Sequence, residues 1–346
     1  MNQQTIHRLL AVLEEYKDLG IAQQIDYDKF YLYSIITHST AIEGSTVTEI
    51  ENQLLFDEGI TAKGRTLQEQ MMNLDLKAAY ERSMLLAQQH VPISIDMLKS
   101  LSAIVMKNTG SNYKTMLGNF SSANGDLRLL NVRAGIDGKS YMSYQKVPAR
   151  LEEFCEWLNS ERSRIAKDNV IDAYALSFDA HLRLVTIHPW ADGNGRMSRL
   201  LMNHLQFEFG LIPTKIIKED KAEYIQTLVD AREQEDRGIF IDLMFKLHIQ
   251  NLQHEIDVYK QSIDTETIGD NTSHVTDVTD RQHAIINLIK NNVTISTSQM
   301  AETLHVTKRT ILRDINILKA KNIIARIGSE KTGHWEVMDT TTETEK

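Results

Sequence analysis

A single cysteine, Cys155, stands in the 346 residues. That scarcity excludes an internal disulfide and any zinc site built from several cysteines. Cys155 lies in Leu151-Glu-Glu-Phe-Cys-Glu-Trp-Leu158, on the apolar stripe of an expected helix, where a free cysteine packs as a small hydrophobe. Only four prolines punctuate the chain, so little obstructs long helices. No apolar run approaches the ~20 residues that cross a bilayer. The start, Met1-Asn-Gln-Gln-Thr-Ile-His-Arg8, lacks the apolar stretch of a secretory leader. A cytoplasmic protein with no membrane partner is expected. Basic residues are also in deficit: 38 Lys and Arg face 47 Asp and Glu, a net charge of −9. The surface as a whole is therefore unsuited to nucleic acid, which leaves room only for a local basic module. What the chain does have is 42% hydrophobic residues, enough for sizeable cores, and many Leu, Ala, Gln, Glu and Lys, which favour helix. Its length suits two or three domains.

Apolar periodicity predicts helices over residues 3–18, from Asp26 or Asp28 to about 43, over 67–89 and over 96–107. Gly44 is placed to end the second of these, and Thr48-x-x-Glu51 reads as a capping box for a short helix up to Gly59. From Asn108 to Lys146 the texture changes to Gly, Asn and Ser. Arg128–Val132 and Tyr141–Val147 read as two short strands around the turn residues 134–139, a β-hairpin in a helical domain. Helices resume at Pro148, a first-turn position, and continue over 172–187, from the 190s to Phe209, over 220–232 and over 240–261. Residues 262–280 are polar, acidic and Thr-rich, and read as a linker.

The polar stretch His188-Pro-Trp-Ala-Asp-Gly-Asn-Gly-Arg-Met-Ser-Arg199 joins two of these helices. It is a loop that opens into a helix, where unsatisfied backbone N–H groups and the positive end of the dipole favour an anion. Gly193 and Gly195 permit close approach to the backbone, and Arg196 and Arg199 add two cations. Asp192 is a hard oxygen ligand suited to Mg2+ bridging phosphates, and His188 is the nearby general base. Polyphosphate, metal and base together are the chemistry this stretch supports.

Beyond the linker, a helix over 281–290, a helix–turn–helix over 297–320 and two strands around Gly328–Gly333 spell a winged helix-turn-helix. Thr297 or Ser298 is the expected cap of its second helix, and Thr307 of its third. Residues 281–338 carry nine Lys and Arg against four acids. Lys308, Arg309, Thr310 and Arg313 stand on the expected recognition helix, with Lys331 on the wing, so this module is a candidate DNA binder.

The stretch 188–199 resembles the Fic family signature H-x-F-x-(D/E)-G-N-G-R-x-x-R at every functional position, with Trp190 where Phe is usual. Ser39-Thr-Ala-Ile-Glu43-Gly44 resembles the family's inhibitory motif (S/T)-x-x-x-E-(G/N), placed as in the class with an N-terminal inhibitory helix. The resemblance covers roughly residues 1–260. It implies a mainly α fold: an N-terminal helical region with the inhibitory helix (1–110), then a Fic-type helical bundle with a β-hairpin flap (111–261). The linker, the small α+β winged helix-turn-helix domain (281–338) and a tail (339–346) complete the chain.

The resemblance also implies a protein adenylyltransferase that moves AMP from ATP to a Ser, Thr or Tyr hydroxyl of a protein, the chain itself included. His188 would be the base and Asp192 would hold Mg2+. Gly193, Asn194 and Gly195 would line the phosphate cradle, with Arg196 and Arg199 on the β- and γ-phosphates. Tyr224 stands where relatives place an aromatic near the nucleobase. Glu43, with Ser39, would compete for Arg199. A target protein would lie along the 128–147 hairpin, and family habit adds a homodimer to the expected partners. Two other readings stay open: a DNA-binding regulator whose Fic domain senses nucleotide, and a Fic enzyme that removes AMP.

Overall fold

The structure, a computed structural model, describes residues 3–133, 140–166, 168–268, 280–304, 306, 308–320, 323–327 and 333–338. It divides into two compact units, residues 1–259 and 260–346. The first contains α1 (Gln3–Asp18), α2 (Tyr27–Ile42), α3 (Glu49–Glu58), α4 (Leu67–Gln88) and α5 (Ile95–Val105). A hairpin of β1 (Asn112–Thr115) and β2 (Gly118–Ser121) follows, then α6 (Val147–Arg164), α7 (Val170–Ile187), α8 (Asn194–Glu208) and α9 (Lys221–Glu233). The next helix, α10 (Arg237–Ile268), runs past position 262, where composition places the start of the linker; residues 269–279 lie outside the described residues.

Local chemistry sets most of these boundaries. Thr48 with Glu51, and Thr66 with Glu69, form reciprocal capping boxes at the starts of α3 and α4. Gly59 ends α3 at φ 69°, and Gly44 follows α2 at φ 104°. Asp26 occupies the N-cap position of α2 but does not act as a cap: at φ 60° its side chain accepts no backbone N–H.

Helices α7 and α8 lie between two cores. On one side, Leu76, Leu98, Leu151, Leu184 and Leu200 join α4, α5 and α6 to them. On the other, Leu9, Phe178, Met202, Phe240 and Phe245 join α1 and α10. A helix covered on every side normally reads as apolar throughout. Helix α8 instead buries Arg196, Ser198, Arg199, Asn203, His204 and Gln206. Most of these find internal partners: Tyr80 donates to Asn203, and Gln206 donates to Ser177 and Thr214. The loop between α7 and α8 is thus fixed at both ends by packed helices.

The expected strands at 128–132 and 141–147 do not form. Pairing there narrows to one antiparallel bridge, Arg133 with Ser140, and to the Tyr141 N–H donating to the Val132 carbonyl at 3.0 Å. Residues 134–139, the expected turn, lie outside the described residues. A side chain takes the place of the ladder. The buried Arg128 guanidinium donates to the carbonyls of Leu130 (2.8 Å) and Met142 (2.6 Å), tying the two limbs together through carbonyls that a ladder would use. The regular hairpin lies earlier, at β1 and β2, where Tyr113 stacks on Phe120 with centroids 4.7 Å apart.

The second unit contains α11 (Asp280–Asn291), α12 (Thr297–Thr303), α13 (Lys308–Ala320) and the antiparallel pair β3 (Ile324–Ile327) and β4 (His334–Val337). Ile285, Ile289, Met300, Ile311, Ile315 and Trp335 form its core. Ser296, rather than Thr297 or Ser298, caps α12, in a capping box with Gln299. Arg281 on α11 holds the buried Asp314 on α13 at 2.5 Å. The Trp335 indole donates to the Ile295 carbonyl at 3.0 Å and so ties the hairpin to the turn before α12. Lys308, Arg309, Thr310 and Arg313 all fall on α13; the side chains of Arg309 and Arg313, and the positions of His305, Thr307 and Lys331, lie outside the described residues. No helix among the described residues is long and apolar enough to cross a membrane. Cys155 is buried, and burial pushes its thiol up to about 11.

Candidate active site

His188 ends α7 in the left-handed conformation, φ 54° and ψ 61°, so the chain turns sharply there. The imidazole Nδ1 faces the Val185 carbonyl at 3.2 Å; a carbonyl only accepts, so Nδ1 carries the proton. Nε2 is left as the nitrogen that can take one. The Tyr141 ring stacks on the imidazole with centroids 3.7 Å apart. Burial first, then the charges of Arg128 and Arg232, press the imidazole down to about 4 against the opposing Val185 bond and Glu43. A neutral ring at ordinary pH results.

Two side chains hold the loop. The Arg128 Nε donates to the His188 carbonyl at 2.8 Å, and the Arg128 backbone N–H to that of Pro189 at 3.0 Å. Asn194 closes the other side: its Oδ1 accepts the Trp190 N–H at 3.1 Å and its Nδ2 donates to the Trp190 carbonyl at 2.8 Å. The Asn194 side chain is therefore a clamp on the loop, and what it offers a phosphate is its backbone N–H in the first turn of α8, ahead of the first intrahelical bond from Met197 to Gly193. Trp190, fully buried, donates its indole N–H to the Gly125 carbonyl at 3.1 Å, which gives this large aromatic a polar partner as well as a core site.

Gly193 caps α8 at φ 81°, and a Cβ there would strike Met106 Sδ at 2.7 Å. Asp192 remains open, its side chain 59% exposed, with Oδ1 accepting the Gly193 N–H at 2.6 Å. The two arginines differ in their surroundings. Arg196 is 3% exposed and donates to the Val105 carbonyl (3.4 Å) and Met106 Sδ (3.0 Å), while its buried Nε has no partner and Asp192 stands 3.9 Å off. Burial lowers its affinity for a proton.

Arg199, equally buried, is fully engaged: Nε with Ser39 Oγ (2.9 Å), Nη2 with the Ser39 carbonyl (3.0 Å) and Glu43 Oε1 (2.5 Å), Nη1 with Tyr224 Oη (3.4 Å). Burial works against this charge, but Glu43 outweighs it and holds the guanidinium above its ordinary range. Burial likewise raises the Glu43 carboxyl, and Arg199, then Arg196 and Lys221, hold it below the usual carboxylate range. The pair sits on Gly195, where an added Cβ would lie 2.5 Å from Glu43 Oε1 and 3.0 Å from Arg199 Nη1.

The structure thus brings His188, Gly193, Asn194, Gly195, Arg196, Arg199, Glu43 and Ser39 together, with Asp192 at the open edge. Tyr224 is the departure. It is 1% exposed in the core beside Phe240, and its hydroxyl bonds His181 Nε2 (2.9 Å) and Arg199. The apolar stripe of α9 carries it inward, so it braces Arg199 rather than presenting a face to a nucleobase.

Sequence reasoning passed over Arg128, Tyr141 and Asn73. Arg128 and Tyr141 read only as the first residues of two expected strands, and nothing in the sequence aims them at His188. Asn73, fully buried on α4, accepts from Thr40 at 2.8 Å and Asn52 at 2.8 Å and donates to Ser45 at 3.2 Å, fixing the Glu43 end of α2. Nothing in the sequence pairs residues 33 positions apart.

Residues 92–206 match the Fic/DOC family, and residues 281–328 match the DeoR-like helix-turn-helix domain. Protein adenylyltransferase fic-1 of Caenorhabditis elegans is 28% identical over 240 residues, 68% of this chain and 43% of the relative. Protein adenylyltransferase Fic of Drosophila erecta is 30% identical over 212 residues, 58% of this chain and 37% of the relative. The chain spans about two fifths of the length of these curated relatives. Among solved structures, a Fic domain-containing signaling protein from Bacteroides thetaiotaomicron superposes with a TM-score of 0.61 at 21% identity, over 73% of this chain and 98% of that one. A Fic family protein from Desulfovibrio desulfuricans superposes at 0.59 and 17% identity, over 99% and 98%. These structures share the fold.

Proposed function

From a chain that carries a Fic/DOC domain, distantly related to protein adenylyltransferases, and a C-terminal DeoR-like helix-turn-helix domain, we propose an enzyme that transfers AMP from ATP to a protein hydroxyl and is held off at rest by Glu43. The observation that carries this reading is the Glu43–Arg199 pair at 2.5 Å beside a neutral His188. A buried arginine at a helix start, one turn from a second arginine without a hydrogen-bonded carboxylate, is a polyphosphate site with one seat taken.

In the reaction, the His188 Nε2 takes the proton of a Ser, Thr or Tyr hydroxyl as its oxygen bonds to the α-phosphorus of ATP. The bond from that phosphorus to the bridging oxygen breaks, and pyrophosphate leaves. Arg196, Arg199 and the first N–H groups of α8 stabilise the charge that collects on the leaving group. Among the described residues no three His, Cys, Asp or Glu gather into a metal cluster. Asp192, open to solvent, would hold Mg2+ only together with phosphate oxygens of ATP, and the metal would offset leaving-group charge. Glu43 occupies the arginine that the terminal phosphate needs.

The test is incubation with α-labelled ATP and Mg2+. Glu43→Gly should raise labelling of protein by about tenfold or more, the equivalent of ~1.4 kcal/mol of lost competition. A variant that binds no ATP and labels nothing, itself included, sinks the proposal. Label removed from pre-modified protein by the unchanged chain, and not by Glu43→Gly, would instead support AMP removal.

A second reading rests on the second unit. The match to a DeoR-like helix-turn-helix and the nine-to-four basic excess of residues 281–338 support DNA binding through α13. DNA would then place the enzyme near its target. Affinity of the full chain for duplex DNA should fall steeply with salt, and the charge reversals Lys308→Glu and Arg313→Glu should flatten that slope.

A further inference from the structure

We propose that the groove between α6, α7 and the α9–α10 junction is a docking site for an acidic segment of the protein substrate. This inference rests on the transfer reading above, since it names what the transferred group is delivered to. The groove has a volume of about 520 Å3 and an apolar floor that includes Phe154, Leu182 and Ile187. Around that floor stand Arg150, Arg183, Arg232 and Arg237, against Glu153 and Glu235.

The distribution of partners leaves positive charge unspent. Arg150 is matched by Glu153 at 2.5 Å. Arg183 and Arg237 share one oxygen of one buried carboxylate, Asp179 Oδ2, at 3.1 and 2.5 Å, so two guanidinium groups face a single negative charge. Arg232 pairs with no carboxylate among the described residues, and its contact is the Tyr141 ring, 5.0 Å from centroid to guanidinium carbon. The Arg183 guanidinium carbon lies over the Trp157 ring, 3.8 Å from its centroid, so the charge rests on an aromatic wall of the groove. An aromatic and apolar floor rimmed by guanidinium groups suits a peptide that alternates carboxylates with apolar side chains.

Position gives the groove its purpose. Thr186 and Ile187 line it and directly precede His188 in the chain. Arg232 stacks on the same Tyr141 ring that stacks on the His188 imidazole. A carboxylate held at Arg232 therefore sets the adjoining residues of the same peptide beside the base. The groove selects for hydroxyls that have an Asp or Glu within a few residues.

The probe is a pair of short fluorescent peptides with one central Thr, flanked in one by Asp and Glu and in the other by Asn and Gln. Binding to the full chain carrying Glu43→Gly is read by anisotropy without ATP, then AMP transfer to each peptide with it. The acidic peptide should bind about tenfold tighter, and the difference should shrink between ~50 and ~500 mM salt. Arg150→Glu, at an exposed position, and Arg237→Gln, which removes the charge but keeps an amide donor for the buried Asp179, should each erode the preference. Arg232→Glu should shift it to a Lys-flanked peptide. Equal affinity for the two peptides, a preference untouched by these substitutions, or an oligonucleotide of matching charge that outcompetes the peptide would each overturn the docking site. Peptide preference without any AMP transfer would overturn the transfer reading and leave the docking site standing.

Discussion

The two ends of the 188–199 loop are ordered by different kinds of group. At the His188 end everything is assembled: Arg128 holds the carbonyl, Tyr141 covers the ring, Val185 fixes the tautomer, and the imidazole is neutral. At the Arg199 end the side chain is just as well ordered, but by Ser39 and Glu43, groups that belong to another helix. Preorganisation alone therefore does not mark an active state. Under the proposed function, what separates the two ends is whether the ordering groups stand where a substrate phosphate would bind. Arg196 makes the same point from between them, since it is buried with no hydrogen-bonded carboxylate where Arg199 has one.

Three experiments would break or sharpen this contrast, all in the Glu43→Gly background. The largest effect is expected from His188→Ala, which removes the base and should cut AMP transfer by ~10²–10⁴ while ATP affinity stays within error. Loss of ATP affinity with it would mean that the base end also binds nucleotide, and the division between the ends would collapse. Next is Arg128→Lys. A lysine reaches one of the three carbonyls that the guanidinium fork holds, so kcat should fall by about tenfold through a misplaced His188. A change in KM for ATP without one in kcat would place Arg128 outside the base end.

The smallest effect is a pH profile. The folded His188 value lies below the ordinary 6.5, so the neutral base is present above that pH and is lost only as pH falls through about 4. The acid limb of kcat/KM should sit near the lower value, and a limb at 6.5 would show that the ring is not desolvated as described. The buried His181 and His248, both pressed down to about 3 by burial, work in the same direction on stability. Their contribution is complete above 6.5 and erodes as pH drops from there towards their folded values, because the unfolded chain binds the extra protons.

Much of this was legible in one dimension because it is local. The capping box at Thr48 spans only four residues, and the loop that opens into α8 lies within one short stretch, whereas the equally local box at Thr66 is a finding of the structure. The resemblance at 188–199 and 39–44 then joined two distant stretches that periodicity alone leaves unconnected. The failures are non-local. Short runs on either side of the turn residues 134–139 suggest two strands at 128–132 and 141–147, but a buried arginine ties the two limbs together through the Leu130 and Met142 carbonyls instead. Tyr224 stands where the resemblance places an aromatic near the nucleobase, but the stripe of α9 turns it into the core. The helix α10 continued into acidic, Thr-rich sequence that composition assigns to a linker.

The sequence by itself determined a mainly helical chain, a helix that begins at an Asn-Gly-Arg turn, and the residue types needed for phosphate, metal and proton chemistry. It did so because caps, turns and helix starts depend on neighbours within one turn of helix. Only the tertiary structure decided that Arg199 is taken and Arg196 is not, that Arg128 aims His188, and that four arginines converge on one groove. Those facts depend on which surfaces of α2, α6, α7 and α8 meet, and packing between helices couples residues whose separation in the chain carries no signal of their contact.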